Sequence, residues 1–278
     1  MCSVVTGNKL IRNTAKSRAA SAVLAVALAL GTGVATASTA GAPAGEWQYE
    51  FTPYLWGAAM KGDVQGGALP KISVDASFSD ITKVLDFGLM GAFEARKGQW
   101  GLLFDAIYMD LSTDGTASRT GPGPIGATAT ANASFGMKQT VVAAALAYRA
   151  VEGRSPVDVF GGLRYIKLEA DAVIEGGFFA LTRTVAFSDK RDWVDPYVGA
   201  RIKHALNDRW SLTGYADVGG FGIGSDISWQ LSAGASYDFT KSVSGIFGYR
   251  MFYADYDKSG FLYDMKNQGA YAGVGIRF

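Results

Sequence analysis

Apolar and polar residues alternate along much of the chain beyond residue 46. In the clearest stretch, 227–239, the odd positions are Ile, Trp, Leu, Ala, Ala, Tyr and Phe, whereas the even positions are Ser, Gln, Gly and Asp. A period of two places alternate side chains on opposite faces of a strand, and no face of a helix with 3.6 residues per turn fits it. The pattern therefore predicts an all-β chain.

The alternation predicts about ten strands, many of them longer than the five or six residues that are usual in globular proteins. We place them at 46–58, 86–97, 99–111, 132–149, 157–169, 192–206, 209–221, 226–239, 242–255 and 267–278. Short connections alternate with long polar ones, which we place at 112–131, 169–191 and 255–266. An even strand number puts both termini on the same side.

Three features favour a transmembrane antiparallel up-and-down barrel over a soluble β-sandwich. Trp, Tyr and Phe concentrate near the strand ends, as in the aromatic girdles of membrane barrels. Connections alternate between short and long, which is typical of periplasmic turns and extracellular loops. The last strand ends with Val274, Ile276 and Phe278 at alternate positions, and we expect these residues to act as the C-terminal signal for the barrel-assembly machinery.

Residues 60–85 leave several alternatives open. Ile72, Val74, Ala76 and Phe78 alternate like a strand, and 78–85 fits a short helix capped by Ser79 or Asp80. The segment is an outer hairpin, an inward-folded plug, or two further strands that bring the total to twelve.

The first forty residues are typical of a secretory signal peptide. Lys9, Arg12, Lys16 and Arg18 precede the apolar run 19–30, which is followed by small residues up to Ala40. An apolar run of about a dozen residues is too short to span a bilayer as a helix. We therefore predict a cleaved signal peptide at 1–40, a barrel domain at 41–278 and export to the outer membrane.

Charge and cysteine content narrow the function further. The chain has 26 Lys and Arg against 25 Asp and Glu, and loss of the four signal-peptide cations leaves 22 against 25. A mildly acidic chain without a basic tract does not indicate nucleic-acid binding. Its single cysteine, Cys2, lies in the predicted signal peptide, so the mature chain forms no internal disulfide.

Four stretches resemble a family of proteobacterial outer-membrane β-barrel proteins of unassigned activity. They are Tyr54-Leu55-Trp56, Leu85-Asp86-Phe87-Gly88, the run from Trp193 to Arg201, and the run from Gly219 to Asp226. The resemblance covers nearly all of 46–278. It implies a barrel in the outer membrane of a Gram-negative bacterium, in contact with lipid and lipopolysaccharide, and it implies no particular activity.

If the apolar positions face lipid, then five charged residues point into the barrel at about one level. These are Asp105, Arg164, Arg201, Asp217 and Arg250, with Glu50 and Glu94 nearer the periplasmic end. Charges on the lipid face cost about 2–4 kcal/mol for Arg or Lys at the midplane, which favours the inward orientation. The five residues form either ion pairs that fill a narrow lumen or a charged constriction that selects small ions or solutes.

Catalytic and cofactor chemistry find little support. The only histidine, His204, lies on the apolar alternation near a periplasmic turn, so no Ser/His/Asp triad is available. The glycine-rich run 220–224 is followed by a strand instead of the helix that a phosphate loop needs. In 255–266 the spacing suits the start of a calcium loop, but Lys266 occupies the position of the essential Glu.

We therefore expect a non-enzymatic barrel with no metal, cofactor or nucleic acid. Its role is structural or envelope-stabilising, or binding through its outer loops. The alternative is a narrow porin-like channel through which small solutes pass the charged lumen.

Overall fold

The structure is a computed structural model that describes residues 45–66, 71–120, 128–178 and 181–278. The predicted signal peptide at 1–40, including Cys2, lies outside the described residues, and its cleavage stays a prediction. Within the described ranges, no helix combines the length and the apolar character that crossing a membrane requires.

The described residues form eleven strands and one short helix. In chain order they are β1 Trp47–Gly66, β2 Ile72–Ala76, α1 Phe78–Val84, β3 Leu85–Lys97, β4 Trp100–Thr120, β5 Thr128–Val151, β6 Val157–Phe178, β7 Leu181–Ala205, β8 Trp210–Gly219, β9 Ile227–Asp238, β10 Val243–Lys258 and β11 Phe261–Arg277.

Ten of these strands close into a barrel. Strands β3 to β11 pair antiparallel with their sequence neighbours, and β1 joins β3 on one side to β11 on the other. The closing strands meet where Tyr49 and Phe278 exchange two backbone hydrogen bonds of 3.1 Å. The predicted ten-stranded antiparallel barrel is confirmed.

The predicted long connections at 112–131 and 169–191 are wrong. Strands β4 to β7 continue through most of these segments and reach lengths of 21, 24, 22 and 25 residues. The sequence signal fails there because Ser, Thr, Ala, Gly and charged residues occupy both faces, so the apolar alternation that marks a half-buried strand disappears. The connection predicted at 255–266 is likewise a tight hairpin between β10 and β11 that turns at Ser259 and Gly260, both with positive φ.

Segment 60–85, for which the sequence left several structures open, forms an outer strand pair followed by the short helix. Strand β1 continues to Gly66, and β2 adds one extra strand that pairs with the outer end of β1. Helix α1 follows, and its N-cap is Ser77, not the predicted Ser79 or Asp80. Ser77 is preferred because its side chain accepts from the Asp80 backbone N–H while the Asp80 carboxylate accepts from the backbone N–H of Ser77, which completes a capping box.

The barrel has an apolar exterior and a mixed interior. Along β1, Thr52, Tyr54, Trp56 and Ala58 are buried in the lumen, whereas Phe51 and Leu55 are exposed on the outer surface. Outward-facing aromatics lie near the end where the short turns occur; these are Trp47, Trp100, Trp210 and Phe278. This face alternation follows directly from the period of two in the sequence.

Candidate functional site: the barrel lumen

The lumen near the short turns is filled by a layer of ion pairs. Arg201 donates to both oxygens of Glu94 at 2.8 and 3.0 Å and to Asp158 at 2.8 Å. Asp158 also accepts from Arg96 at 2.7 Å and from Arg149 at 2.9 Å. One buried carboxylate thus holds three guanidinium groups, which fixes the side chains of three strands relative to one another.

A second layer of charge lies deeper in the barrel. Arg164 donates to Asp217 at 2.6 Å, and its guanidinium lies 4.6 Å from the ring centroid of Tyr197. Both partners of this ion pair are almost completely buried. Tyr215 also donates to Asp217 at 2.7 Å. The pair is therefore enclosed by aromatic rings and is shielded from solvent.

Arg250 forms the other half of this second layer. It donates to Gln230 at 2.6 Å, to the Tyr54 hydroxyl at 2.9 Å and to Asp105 at 3.3 Å. Its guanidinium lies 5.0 Å from the ring centroid of Trp56. Arg250 thus joins the charged part of the lumen to an aromatic ring above it.

The five lumen charges chosen from the sequence fall into two groups. The structure brings Arg164 together with Asp217 and Arg250 together with Asp105, whereas Arg201 belongs to the layer nearer the short turns. Their role as a structural filling or as a constriction stays a prediction.

Sequence reasoning missed Asp158, Arg96 and Arg149. Two of them could have been found from the alternation. Asp158 lies an even number of positions from Arg164 on β6, and Arg96 lies two positions from Glu94 on β3, so both are on the inward-facing side of their strands.

Positive and negative side chains balance in this part of the lumen. The ion pairs of both layers and of the adjoining rim contain Arg96, Arg149, Arg164, Arg201, Arg250 and Arg277 with Glu50, Glu94, Asp105, Asp158, Asp217 and Asp238. A cavity of about 250 Å³ lies among them, lined by Arg201, Arg250, Asp105, Tyr215 and neighbouring residues. With six cations and six anions, these ion pairs carry no net charge that would concentrate ions of one sign.

The other half of the lumen is mainly apolar, with Gln139 and Asn267 as buried polar side chains. Buried hydrophobic side chains from nine elements pack across it, and we call this group the upper apolar cluster. Its buried members are Tyr54, Trp56, Ala58, Met60, Ile81, Met90, Ile107, Met109, Leu111, Val141, Ile166, Leu168, Trp193, Phe252, Ala254, Phe261, Tyr263 and Met265. The cluster crosses the barrel in the manner of a protein core.

His204 does not complete a catalytic group among the described residues. Its Nδ1 lies 2.7 Å from the Ser155 hydroxyl, and no hydrogen bond or ion pair joins His204 to a carboxylate in that part of the chain. A histidine base in a catalytic triad is oriented by such a third group. In the same described ranges, no three His, Cys, Asp or Glu side chains are grouped to hold a metal ion.

The glycine-rich turn between β8 and β9 is firmly held. Gly220, Phe221 and Gly222 all have positive φ, as a tight turn requires. The buried Asp195 accepts from the backbone N–H and the hydroxyl of Ser225 at 2.6 and 2.8 Å, and the Trp193 indole donates to the Ser225 hydroxyl at 2.8 Å. On the other side of the turn, Lys258 of β10 donates to the carbonyls of Gly222 and Ile223 at 2.7 and 3.0 Å, so the turn is tied to both β7 and β10.

The C-terminal residues singled out in the sequence lie on the last wall strand and at its end. Val274 and Phe278 are exposed on the outside, and the Phe278 ring stacks on Tyr49 with centroids 5.8 Å apart. Ile276 lies opposite Phe51 of β1. Recognition of these residues by the assembly machinery stays a prediction.

A closed antiparallel barrel with an apolar exterior and a charged interior defines the class of transmembrane β-barrels. No protein-family model matches the chain, and no curated protein matches it.

Among solved structures, the chain is similar to the translocator domain of the autotransporter NalP from Neisseria meningitidis, at 15% identity and a TM-score of 0.36 over 84% of this chain and 87% of that one. It is also similar to Ail of Yersinia pestis, at 11% identity and a TM-score of 0.32 over 84% and 98% of the two chains. The toluene transporter TodX of Pseudomonas putida matches at 11% identity and a TM-score of 0.32 over 85% and 90%. These neighbours are proteobacterial outer-membrane β-barrel proteins.

Proposed function

We propose that the chain is an integral outer-membrane protein of a Gram-negative bacterium with a structural or envelope-stabilising role, whose barrel is closed to solutes. The observation that carries this proposal is the upper apolar cluster, which crosses the lumen above the ion pairs. Trp56, Phe252 and Met265 in it are at most 6% exposed. A solute crossing the barrel would have to displace this packed core, which is unfavourable.

The exterior supports insertion in a membrane. Large apolar side chains such as Leu55, Leu163 and Val198 are more than half exposed to the surroundings of the barrel, and in water such a surface would favour aggregation. We infer that this surface contacts lipid and lipopolysaccharide, that residues 1–40 direct export, and that the strand ending at Phe278 is read by the barrel-assembly machinery.

The long strands support a binding role on the outer side. A membrane strand needs about 9–11 residues, so roughly half of each of β4 to β7 extends beyond the bilayer. The extensions form a four-stranded antiparallel sheet, the outer sheet, made of 112–120, 128–136, 169–178 and 181–192. We propose that the outer sheet, not flexible loops, is the surface that contacts a partner.

Planar-bilayer recordings of the refolded mature chain test the closed lumen. We expect no stepwise currents, because the upper apolar cluster leaves no continuous polar path. Before the recordings, a shift in gel mobility between unheated and boiled samples and a strand-dominated circular dichroism spectrum establish that the barrel has formed. Stepwise currents from the wild-type protein contradict the proposal.

A narrow channel is the second candidate, and the cavity of about 250 Å³ among the lumen charges favours it. In that case the upper apolar cluster moves aside and the charged layers set the ion preference. Arg250→Ala should then change the ratio of cation to anion current, whereas a silent wild-type barrel excludes this candidate.

A further inference from the structure

The barrel wall parts between β1 and β3. Their register ends at Pro53 opposite Gly91, and β1 has its next partner on that side at Met60, opposite Ala76 of β2. Among the described residues, 54–59 of β1 and 85–90 of β3 therefore have no strand neighbour across this opening. We call the opening, defined by these two ranges, the wall gap.

The hydrogen-bonding pattern identifies the backbone groups that face the wall gap. Tyr49 exchanges both of its hydrogen bonds with Phe278, which directly follows β11, so the odd-numbered residues of β1 face β11. Tyr54, Trp56 and Ala58 consequently direct their N–H and C=O groups toward the wall gap. Such groups are costly in hydrocarbon unless protein covers them.

The wall gap lies at the depth of the outer leaflet. A strand tilted by about 45° advances ~2.3 Å per residue along the membrane normal. Tyr54 and Ala59 follow the girdle residue Trp47 by seven and twelve positions, which places Tyr54 at about 16 Å, inside an apolar band ~25 Å tall, and Ala59 at about 28 Å, just past its outer edge.

The outer rim of the wall gap is mainly apolar, although it includes the exposed Asp86, which accepts a hydrogen bond from Ser112. Leu55, Phe78, Phe87 and Leu89 surround it, and their exposed fractions are 63%, 51%, 47% and 57%. At this depth such side chains contact acyl chains. The wall gap therefore opens toward hydrocarbon, not toward water.

Helix α1 covers the wall gap from the outer side. The Phe78 ring packs so closely on Gly57 that a Cβ added there would lie 3.1 Å from it. Ile81 enters the upper apolar cluster. A break in the β3–β4 register between Leu85 and Phe87 follows the helix directly. The cover is thus one short helix between two irregular segments, and a few apolar contacts hold it in place.

The inner side of the wall gap is rich in methionine. Four of the chain's seven methionines are buried in the upper apolar cluster, and Met137 packs against it; the four are Met60, Met90, Met109 and Met265. Methionine is flexible and polarizable, and it lines binding surfaces that adapt to different apolar ligands. A void of about 10 Å³ already lies beside Trp56, and its lining is Trp56, Ile107, Met109, Gln139, Val141, Arg250, Phe252 and Asn267.

We propose that the wall gap admits an uncharged alkyl chain of a small lipophile from the outer leaflet to a binding site between Trp56, Met90 and Met109. An uncharged chain fits because the cluster residues at the wall gap, such as Trp56, Met90 and Met109, carry no charge. Arg250 lies beside Trp56, but its guanidinium already donates to Asp105 and Gln230. The inference rests on the proposed function, because the depth of the wall gap is defined by insertion in a membrane.

Tryptophan quenching in vesicles of dioleoylphosphatidylcholine tests the site. One variant keeps Trp56 and changes the other five tryptophans to Phe; a matched control keeps only the lipid-facing Trp100. We expect added 1-bromododecane to quench Trp56 to a plateau that unbrominated dodecane reverses. Quenching of Trp100 should instead rise in proportion to the bromododecane in the bilayer, without reversal. Absence of quenching at Trp56, or proportional quenching there, overturns the proposal.

Two further variants test the role of the methionines. Met90→Leu/Met109→Leu should weaken the apparent affinity at Trp56 at least fivefold, whereas Met251→Leu on the outer face should leave it unchanged. In the wild-type chain, which keeps every tryptophan, saturating dodecane should raise the temperature at which gel mobility shifts, and the double variant should lack this effect. If bromododecane has the same apparent affinity in the double variant as in the Met251→Leu control, the proposed binding site is contradicted.

Brominated phosphatidylcholine separates failure of this proposal from failure of the proposed function. If the barrel spans the bilayer, the brominated lipid alone quenches Trp100; an unquenched Trp100 contradicts membrane insertion itself. If the brominated lipid alone quenches Trp56 to a plateau, the occupant is a bilayer lipid and the assignment to a free lipophile is overturned.

Discussion

The two halves of the lumen are filled by opposite chemistry. Near the short turns, arginines and carboxylates pair directly, as with Arg164 and Asp217 at 2.6 Å. Beyond Trp56 the lumen holds almost only apolar side chains, such as Ile166 and Met265. Buried charges specify which groups must meet, whereas apolar packing tolerates movement and substitution more readily. The comparison suggests a rigid lower half and an adaptable upper half.

We expect the largest loss of stability in the lower half when one buried charge is left without its partner. Asp217→Ala should lower the free energy of unfolding by about 3–5 kcal/mol, because the Arg164 guanidinium would stay buried and unpaired. Urea titration in phospholipid vesicles measures the loss. Asp217→Leu/Arg164→Met should recover most of it, since an apolar pair of similar volume needs no counter-charge.

An exposed ion pair provides the control for that experiment. Lys61 and Asp75 lie 3.0 Å apart with about three quarters of each side chain exposed, so Asp75→Ala should change the free energy of unfolding by less than about 1 kcal/mol. A loss at Asp217 no larger than the loss at Asp75 would contradict the view that buried pairing organises the lower half.

The upper half should respond to lost volume instead of lost charge. Ile166 is fully buried in the upper apolar cluster, and Ile166→Ala should lower the free energy of unfolding by about 2–5 kcal/mol through the cavity that it leaves. Ile166→Val should cost only about 0.5–1.5 kcal/mol. Similar losses for the two variants would mean that the cluster is not closely packed.

Much of this contrast could be predicted from the sequence, because alternation defines which face each residue occupies. The inward alternation contains Arg164, Asp217 and Arg250, whose side chains are buried, because inside and outside differ in polarity along β6, β8 and β10. It did not predict the separate position of Arg201. Height in a barrel depends on the stagger between strands as well as on distance from the turn, and the stagger is set by pairing across the whole sheet.

The upper apolar cluster was not predicted for a related reason. Trp56, Met109 and Tyr263 are apolar or aromatic in the sequence. Alternation alone does not distinguish an apolar residue that faces the lumen from one that faces lipid, so these residues could not be assigned to an internal core. The outer sheet was missed because Thr116 and Asn132 are polar residues on strands exposed at both faces. Where both faces of a strand contact water, alternate residues do not differ in hydrophobicity, so the strand leaves no alternating pattern in the sequence.

A smaller effect is expected at the rim of the lower half. Arg277 lies 3.3 Å from Glu50 and also pairs with Asp238, and its side chain is 30% exposed. Arg277→Ala should lower the free energy of unfolding by no more than ~1 kcal/mol. Urea titrations at 0.1 and 1 M NaCl should show this difference shrinking at high salt, because partly exposed charges are screened. The loss caused by Ile166→Ala should not shrink at high salt. If the loss caused by Arg277→Ala also does not depend on salt, the Arg277 ion pairs behave like the buried pairs, which contradicts this prediction.

The smallest effect is expected outside the barrel, where β2 pairs with the end of β1. Asp63 accepts from Ser73 at 2.6 Å and pairs with Lys71 at 2.7 Å, and these hydrogen bonds, chiefly that of Lys71, lower the pKa of Asp63 below its usual value. A carboxylate with a depressed pKa stabilises the fold above the pKa of the unfolded state, about 3.9, and loses this effect as pH falls through the folded value.

Hydrogen-exchange protection of the 72–76 amides should therefore be higher at pH 6 than at pH 2. Asp63→Asn should remove this pH dependence without changing protection of the β9 amides in the barrel wall. Equal protection of 72–76 at both pH values in the wild-type chain would show that backbone pairing alone holds β2.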